Sequence, residues 1–219
     1  MSNLTTDEIR ELLQPYLTEE VAWGGERPEL LDRLSTYLDL LVKWNGRMNL
    51  TAVRDPREMV KRHFGESLFA ACHVSGTGTL LDLGSGAGFP GLPIQLWHPQ
   101  LKVTLAESQL KKSTFLREAV RSLSLSTEVF AGRVEEMTPG RCFDAVVLRS
   151  VDRTRDALES ALQLSVGDVW LLGSSATGAM GMGRARMVEE FTLPGGSLTS
   201  LFRMMRDSST WNKVEDAGE

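Results

Sequence analysis

The stretch LDLGSGAGFPGLP, Leu81 to Pro93, ends an apolar run and opens a glycine-rich turn that two fingerprints fit at once. Counted from Gly84 it is G-x-G-x-G behind the acidic Asp82. Counted from Gly86 it is G-x-G-x-x-G through Gly88 and Gly91, the spacing of a dinucleotide loop. Either count places a tight turn between strand and helix at the carboxyl edge of an open α/β sheet, where such sheets bind ligands. The two readings part on charge. A dinucleotide brings a pyrophosphate, which a carboxylate just before the glycines repels. S-adenosylmethionine brings an ammonium and a sulfonium, which tolerate that carboxylate. Asp82 therefore favours Gly84, Gly86 and Gly88 as the functional set, and Gly91 then serves close packing of the new helix on the sheet. Taken alone, Asp82 would equally cap the amides of its own loop.

Downstream, short apolar runs alternate with helical stretches. Strands are expected at 80–83, 103–106, 127–131, 145–148 and 169–172, with helices beginning near Leu92, Gln109 and Arg155. That alternation predicts a parallel sheet covered on both faces. Residues 186–191, a Pro194-Gly195-Gly196 turn and 198–205 read as an antiparallel hairpin closing the sheet edge. Gly173 to Gly183 reads as a mobile Gly/Ala/Ser loop. Glu107 ends the second strand, where its carboxylate can accept both hydroxyls of an adenosine ribose. The pattern thus predicts an α/β, Rossmann-like fold with a mostly parallel sheet, a C-terminal antiparallel hairpin and an N-terminal helical segment. The expected division is a helical extension over 1–76 and an α/β cofactor-binding domain over 77–219, in one compact unit.

The N-terminal third is helical in pattern. Thr5 and Glu8 form a capping box, and Pro15 stops the first helix near Gln14. Leu30, Leu34, Tyr37, Leu38, Leu41 and Trp44 recur at helical spacing. Asp55-Pro56-Arg57-Glu58 starts another helix, which turns Met59, Val60, His63, Phe64 and Leu68 inward.

Composition narrows the class. A chain of 219 residues with 42% hydrophobic residues can bury a core without disulfides or metal. Cys72 and Cys142 lack C-x-x-C spacing and read as free thiols of a reducing compartment. The polar, acidic start has no signal-peptide pattern, and no apolar run approaches the roughly 20 residues of a membrane helix. A cytoplasmic monomer without membrane contact is expected. The net charge of −5 weighs against nucleic acid only mildly, because a local basic face suffices.

WNGRMNLTAVRDPREMVKRHFGESL (Trp44 to Leu68), followed by LLDLGSGAGFPGLPI, resembles the RsmG (GidB) family of small-subunit rRNA methyltransferases. ESQLKKSTFLREAV, GRVEEM and FDAVVLRSV continue the likeness, from about Leu31 to the C-terminal hairpin. The resemblance implies a class I S-adenosylmethionine-dependent methyltransferase fold over 77–219 and methylation of N7 of one guanine in 16S rRNA of the small ribosomal subunit (guanine 527 in usual rRNA numbering), with S-adenosylmethionine as cofactor. It assigns Gly84 and Phe89 to the methionine and adenosine side, Glu107 to the ribose and Val134 and Glu135 to the adenine edge. Arg149 would stand at the cofactor–substrate mouth, and Asn49 and His63 match recurring positions of the N-terminal helices. Arg149, His63 and Asn49 are the candidate catalytic residues; no metal site is expected. N7 carries a free lone pair, so such a transfer needs positioning and no base. In keeping with this, the sequence lacks both the N/D-P-P-Y element and the Pro-Cys nucleophile of other methyltransferases.

Each assignment has a plainer counterpart. Arg149 would otherwise bridge to Asp82 or Glu107, His63 would be a satisfied core histidine, Asn49 a turn residue and Trp44 a core side chain. Arg54, Arg57, Lys61 and Arg62 form one basic cluster; Lys111, Lys112, Arg117 and Arg121 form another. These either track RNA phosphates or make ordinary solvated faces. The chain also departs from the family pattern. Gly173-Ser174 stand where Lys-Gly is usual after the fifth strand, and Leu148 and Ser150 flank Arg149 in place of Ser and Ala. A relative that binds cofactor or RNA without transferring methyl is the alternative. A nicotinamide-dependent oxidoreductase is a more distant one.

Overall fold

The computed structural model describes residues 2–17, 28–149, 154–174, 185–195, 197 and 199–207. Local chemistry sets the N-terminal helices. Helix α1 (Thr6–Leu13) starts on the expected capping box: the Glu8 amide donates to Thr5 Oγ1 at 3.2 Å, and the Thr5 amide to Glu8 Oε2 at 2.9 Å. Pro15 does not simply end it, because the chain tightens into a 3-10 turn, Gln14–Tyr16. Helix α2 (Pro28–Met48) buries Leu30, Leu34, Tyr37, Leu38 and Leu41 as the 3.6-residue period requires. It ends where Asn49 takes the left-handed conformation at φ 50°. Asp55 caps helix α3 (Pro56–Met59) by accepting the Glu58 amide at 2.9 Å. This helix then opens into a π-turn (Val60–Gly65) before resuming as α4 (Glu66–Ala71).

The sheet comprises β1 (Thr79–Leu83), β2 (Lys102–Ala106), β3 (Glu128–Phe130), β4 (Phe143–Arg149), β5 (Ser165–Gly173), β6 (Ala185–Thr192) and β7 (Ser200–Arg206). Helices α5 (Gly91–Trp97), α6 (Leu110–Ser122) and α7 (Thr154–Leu164) alternate with the first five strands. Spatial order is β3-β2-β1-β4-β5-β7-β6; β1 to β5 run parallel, and β7 lies antiparallel to both β5 and β6. This is the expected parallel sheet with its edge hairpin. The strands differ in extent: β3 is shorter than expected, while β4 and β5 extend further toward their amino ends. Of the glycine-rich loop, residues 175–184 lie outside the described part.

Alternation along the strands feeds two cores, one on each face. Leu80, Leu105, Val147 and Trp170 pack with α2, α4, α5 and α6; Leu81, Val146, Leu148 and Leu171 pack with α7. The N-terminal helices therefore share a core with one face of the sheet. Trp44 lies edge-on to Phe115 at 5.6 Å, the core placement. No described helix is long and apolar enough to cross a membrane.

The chain order reverses between β1 and β4, on opposite sides of which β2 and β5 continue the sheet. Leu83 is in register with Ala106 on one side and Leu148 on the other. Gly84, Glu107 and Arg149 consequently leave the sheet side by side. Tyr37 of α2 reaches that edge and donates its buried hydroxyl to the Ala87 carbonyl. Tyr37→Phe, which orphans this carbonyl, is expected to cost about 1–2 kcal/mol in urea unfolding.

Candidate active site at the carboxyl edge of the sheet

The glycine turn uses its own amides. Gly84 and Ser85 both donate to Ala106 O at 3.0 Å, and Gly86 donates to Glu107 Oε2 at 3.0 Å. Gly88 and Phe89 donate to Ser85 O, Leu92 donates to Gly88 O, and Gly91 donates to Asp82 Oδ2 at 3.0 Å. A pyrophosphate would need these donors, and all of them are taken. This accounting separates the two fingerprints more firmly than charge does.

The three alternate glycines have positive φ: 74° at Gly84, 57° at Gly86 and 89° at Gly88. Their duties differ. A Cβ at Gly86 would meet nothing nearer than Gly84 O at 3.8 Å, so the backbone there is open to a ligand. At Gly88 a Cβ would strike Leu92 and the Tyr37 hydroxyl, both at 2.5 Å. Gly91 behaves as expected: a Cβ would lie 2.6 Å from both Asp82 Oδ2 and Leu105, so glycine lets α5 sit close on the sheet.

Asp82 is fully buried, and its Oδ1 has no hydrogen-bond partner among the described residues. Burial pushes its carboxyl up to about 7, against the downward pull of the Gly91 amide. The capping role is thus the one its contacts show. Glu107 is buried beneath the turn and lines neither of the two cavities that meet at Gly84, with Oε2 on Gly86 and Oε1 accepting the Gln109 amide at 2.7 Å. A carboxylate offers about four lone-pair sites, so two remain for hydroxyls.

Two cavities meet at Gly84. One, of about 500 Å³, is bounded by Leu83, Ala106 and Ser108 on one side and by the 3-10 turn Val134–Glu136 on the other; Val134 and Glu135 both line it. The second, of about 550 Å³, runs from Gly84, Ser85, Gly86, Ala87 and Phe89 to the segment 50–55 and to Arg62, His63, Lys112 and Arg149.

The wall of the second cavity is built by a relay from α2. Asn45, buried at the end of the apolar stripe, donates from Nδ2 to Val53 O at 3.1 Å and accepts the Thr51 amide at 2.9 Å. Thr51 Oγ1 in turn accepts the Val53 amide at 3.1 Å and lies 2.8 Å from His63 Nε2. The His63 ring stacks on Phe89 at 5.0 Å, and burial together with nearby Arg149 lowers its pKa to about 3. It is a neutral imidazole, buried in the core and facing the cavity at once. Phe89, expected beside the cofactor, lines the cavity but is largely enclosed by Tyr37, His63 and Phe64. Asn49 does not line the cavity; its side chain accepts a hydrogen bond from Arg54 at the end of α2, the turn-residue placement.

Arg149 bridges to neither Asp82 nor Glu107. Its Nη2 lies 3.1 Å from Glu66 Oε2, with the Glu66 side chain only 4% exposed. Burial lowers the guanidinium pKa and raises that of Glu66, in each case outweighing the mutual attraction. Glu66, Asn45 and Thr51 were missed as site residues in the sequence. Their available signal was polar character on inward faces: Asn45 continues the stripe through Leu38 and Leu41, and Glu66 lies three residues after His63.

The basic clusters divide. Arg54, Arg62 and Lys112 line the second cavity, and Arg54 also donates to Asn45 O at 3.0 Å. Arg57 is paired with Glu8 at 2.8 Å, Lys61 with Glu58 at 3.0 Å and Arg121 with Glu118. Lys111 is exposed on α6 away from the cavity lining. Among the described residues no cluster of His, Cys, Asp and Glu fits a metal ion.

The family model for rRNA small subunit methyltransferase G matches residues 30–177, a span that includes both cavities. The chain belongs to this family. It is 44% identical over 146 residues to ribosomal RNA small subunit methyltransferase G of Nitrosomonas europaea, covering 66% of this chain and 68% of that one. The protein of that name from Xanthomonas euvesicatoria is 48% identical over 120 residues, covering 54% and 56%. Family membership and fold agree. The crystal structure of M. jannaschii TYW2 in complex with AdoMet superposes with a TM-score of 0.52 at 12% identity, covering 66% of this chain and 76% of that one. The seven-stranded order is that of class I methyltransferases.

Two buried groups give the family site opposed pH dependences. Asp82 has a folded pKa above its unfolded value of 3.8, so its stabilising share is present at low pH and lost as pH rises through about 7. His63 has a depressed pKa, so its share is present above 6.5 and lost as pH falls toward about 3. Asp82→Asn is therefore expected to gain stability relative to the parent as pH rises from about 5 to about 8, by on the order of 1–3 kcal/mol. Melting temperatures of both proteins across that range check it; a constant difference would refute it.

Proposed function

We propose that this protein transfers the methyl group of S-adenosylmethionine to N7 of a guanine in 16S rRNA, acting as a cytoplasmic monomer on the small ribosomal subunit or its RNA. The observation that carries the reading is the meeting of two cavities at Gly84, one walled by Val134 and Glu135, the other by His63 and Arg149. The cofactor fits the residues present: Gly86 leaves open space over the turn, and Glu107 retains acceptor sites for ribose hydroxyls. When bound, it supplies an electrophilic methyl group on a sulfonium.

The chain's own residues supply orientation and exclusion of water. Guanine N7 has a lone pair and no proton, so the acceptor needs no base. The cavity agrees with that need. His63 has Nε2 engaged with Thr51 and Nδ1 shut off from solvent, which leaves it a face to stack against rather than a proton acceptor. Placing two reactants in line is itself worth a large part of such a barrier. Arg149 contributes fixed positive charge at the mouth, and Arg62 and Lys112 contribute it along the rim. We assign RNA contact to Arg54, Arg62 and Lys112 ahead of Arg57, Lys61 and Lys111, whose charges are paired or lie elsewhere.

The departure at Gly173-Ser174 favours a second reading, a binder without transfer. Incubation of undermethylated small subunits with labelled S-adenosylmethionine decides between them. Label at a guanine N7 of 16S rRNA is expected; saturable cofactor binding with no labelled RNA would establish the binder instead. In calorimetry, Glu107→Ala should weaken cofactor binding by about 1–3 kcal/mol, and unchanged affinity would remove Glu107 from the ribose. Replacing Arg62 and Lys112 together by alanine should lower the slope of log affinity for RNA against log salt by about 1–2, whereas Arg57→Ala and Lys61→Ala should leave it unchanged.

A further inference from the structure

Glu66 lies within the Trp44–Leu68 stretch but has no role assigned there, and its carboxylate is the one that meets the guanidinium at the mouth of the site. We propose that Glu66 is the positioning residue for Arg149, and that the π-turn is what brings its carboxylate to the end of β4. This rests on the functional reading above, which places Arg149 beside the reacting partners. The two residues are 83 positions apart on different elements, and the pair is almost wholly buried. Arg149 Nη1 has no partner among the described residues, so Glu66 is the contact that orients the guanidinium.

Stability alone does not account for the pair. A buried ion pair gains little over well-packed apolar side chains, because both charges are taken from water. The raised pKa of Glu66 and the lowered one of Arg149 express that cost. What the pair does supply is a fixed guanidinium plane at the cavity edge, with its charge partly balanced. The local backbone serves the same end. The π-turn Val60–Gly65 adds one residue to a turn of the helix, and the Glu66 amide donates to the carbonyls of Lys61 and His63. Ser67 Oγ donates to His63 O as well. Single π-turns of this kind recur at functional sites. Here one turn carries His63 toward Phe89, Arg62 to the cavity rim and, directly after it, Glu66 to Arg149. The Glu66 carboxylate also lies 3.5 Å from Ser197 Oγ, which holds its second oxygen.

The test is a double-mutant cycle on the full chain, with Glu66→Gln, Arg149→Gln and both together. Glu66→Gln keeps the shape and removes the charge. It is expected to lower kcat/KM for small subunits by on the order of tenfold. The same change in the Arg149→Gln background should have less than about a twofold effect, because a residue acting through Arg149 has nothing left to act on. Glu66→Asp should restore part of the loss. Equal losses in both backgrounds, or none in either, would overturn the proposal. NMR of the Arg149 guanidinium N–H groups reads the same point without turnover: slowly exchanging signals in the parent and in Glu66→Asp, and their loss in Glu66→Gln. Retained signals in Glu66→Gln would also overturn it. Should Glu66→Gln not fold, Arg149→Gln against Glu66→Asp in the same NMR and kinetic assays stands in, with a Glu66→Asp effect that persists without Arg149 counting against the proposal. A parent protein that binds but does not methylate would fail the functional reading alone, leaving the NMR result to judge this one.

Discussion

Phe89 is the contact on which the site depends. Its ring lies parallel to Tyr37 at 5.1 Å, stacks against His63 at 5.0 Å and meets Phe64 edge-on at 5.1 Å. Those three partners come from α2 and the π-turn, while Phe89 itself closes the glycine turn. One aromatic cluster therefore fastens the N-terminal helices to the part of the sheet edge that faces a ligand. Rings of this size bury large apolar areas and prefer such offset and edge-on geometries. The Tyr37 hydroxyl adds a directional bond to Ala87 O, two residues before Phe89, so the turn is held by both packing and a polar contact. Gly88 is required for the same reason, since any side chain there would displace Tyr37 or Leu92.

Around this cluster the charges that line the cavity are mostly positive. The carboxylate of Asp82 is withdrawn beneath α5, and that of Glu66 is spent on Arg149. His63 is neutral because burial and Arg149 both disfavour its cation. What remains toward the opening is Arg54, Arg62, Lys112 and the free side of Arg149, with Asp55 and Glu58 at the α3 margin. A chain of net charge −5 thus presents a basic mouth without a basic surface. Local arrangement, not the total, governs encounter with a polyanion.

The sequence made the frame legible because the frame is written in short-range signals. The Thr5–Glu8 box, the Asp55 cap, the strand–helix alternation and the closing hairpin each arise from residues a few positions apart, and each is found where its signal lies. Glu107 was legible for the same reason, as the acid at a strand end one βα unit after the glycines. The interior of the site was not. His63 and Phe64 face inward as helical spacing requires, but a π-turn leaves no composition signal, and the buried carboxylate of Glu66 just after it carried none either. The Glu66–Arg149 pair joins residues whose proximity depends on the packing of α4 against the sheet, which no local pattern states. Arg149 was accordingly given the acids at neighbouring strand ends in sequence logic, Asp82 and Glu107, whereas its ion pair is with Glu66 of α4. The basic clusters failed in a related way: spacing along a helix cannot tell Arg62, open to the cavity, from Arg57 one turn earlier, which pairs with Glu8 of α1.

The amides also explain why one glycine turn cannot serve both fingerprints. A pyrophosphate site needs a helix N-terminus whose N–H groups are unspent, since their partial positive charge is what attracts the anion. Here Glu107 takes Gly86, Asp82 takes Gly91 and Gly88 O takes Leu92, so the positive ends are answered from within. The same carboxylates that close the turn to an anion make its surroundings acceptable to a cation. Glu107 in particular ties two segments with one group: it accepts the Gly86 amide of the turn and the Gln109 amide at the start of α6. A backbone tied by its own carboxylates is pre-set before any ligand arrives, which is what the proposed transfer, resting on alignment, calls for.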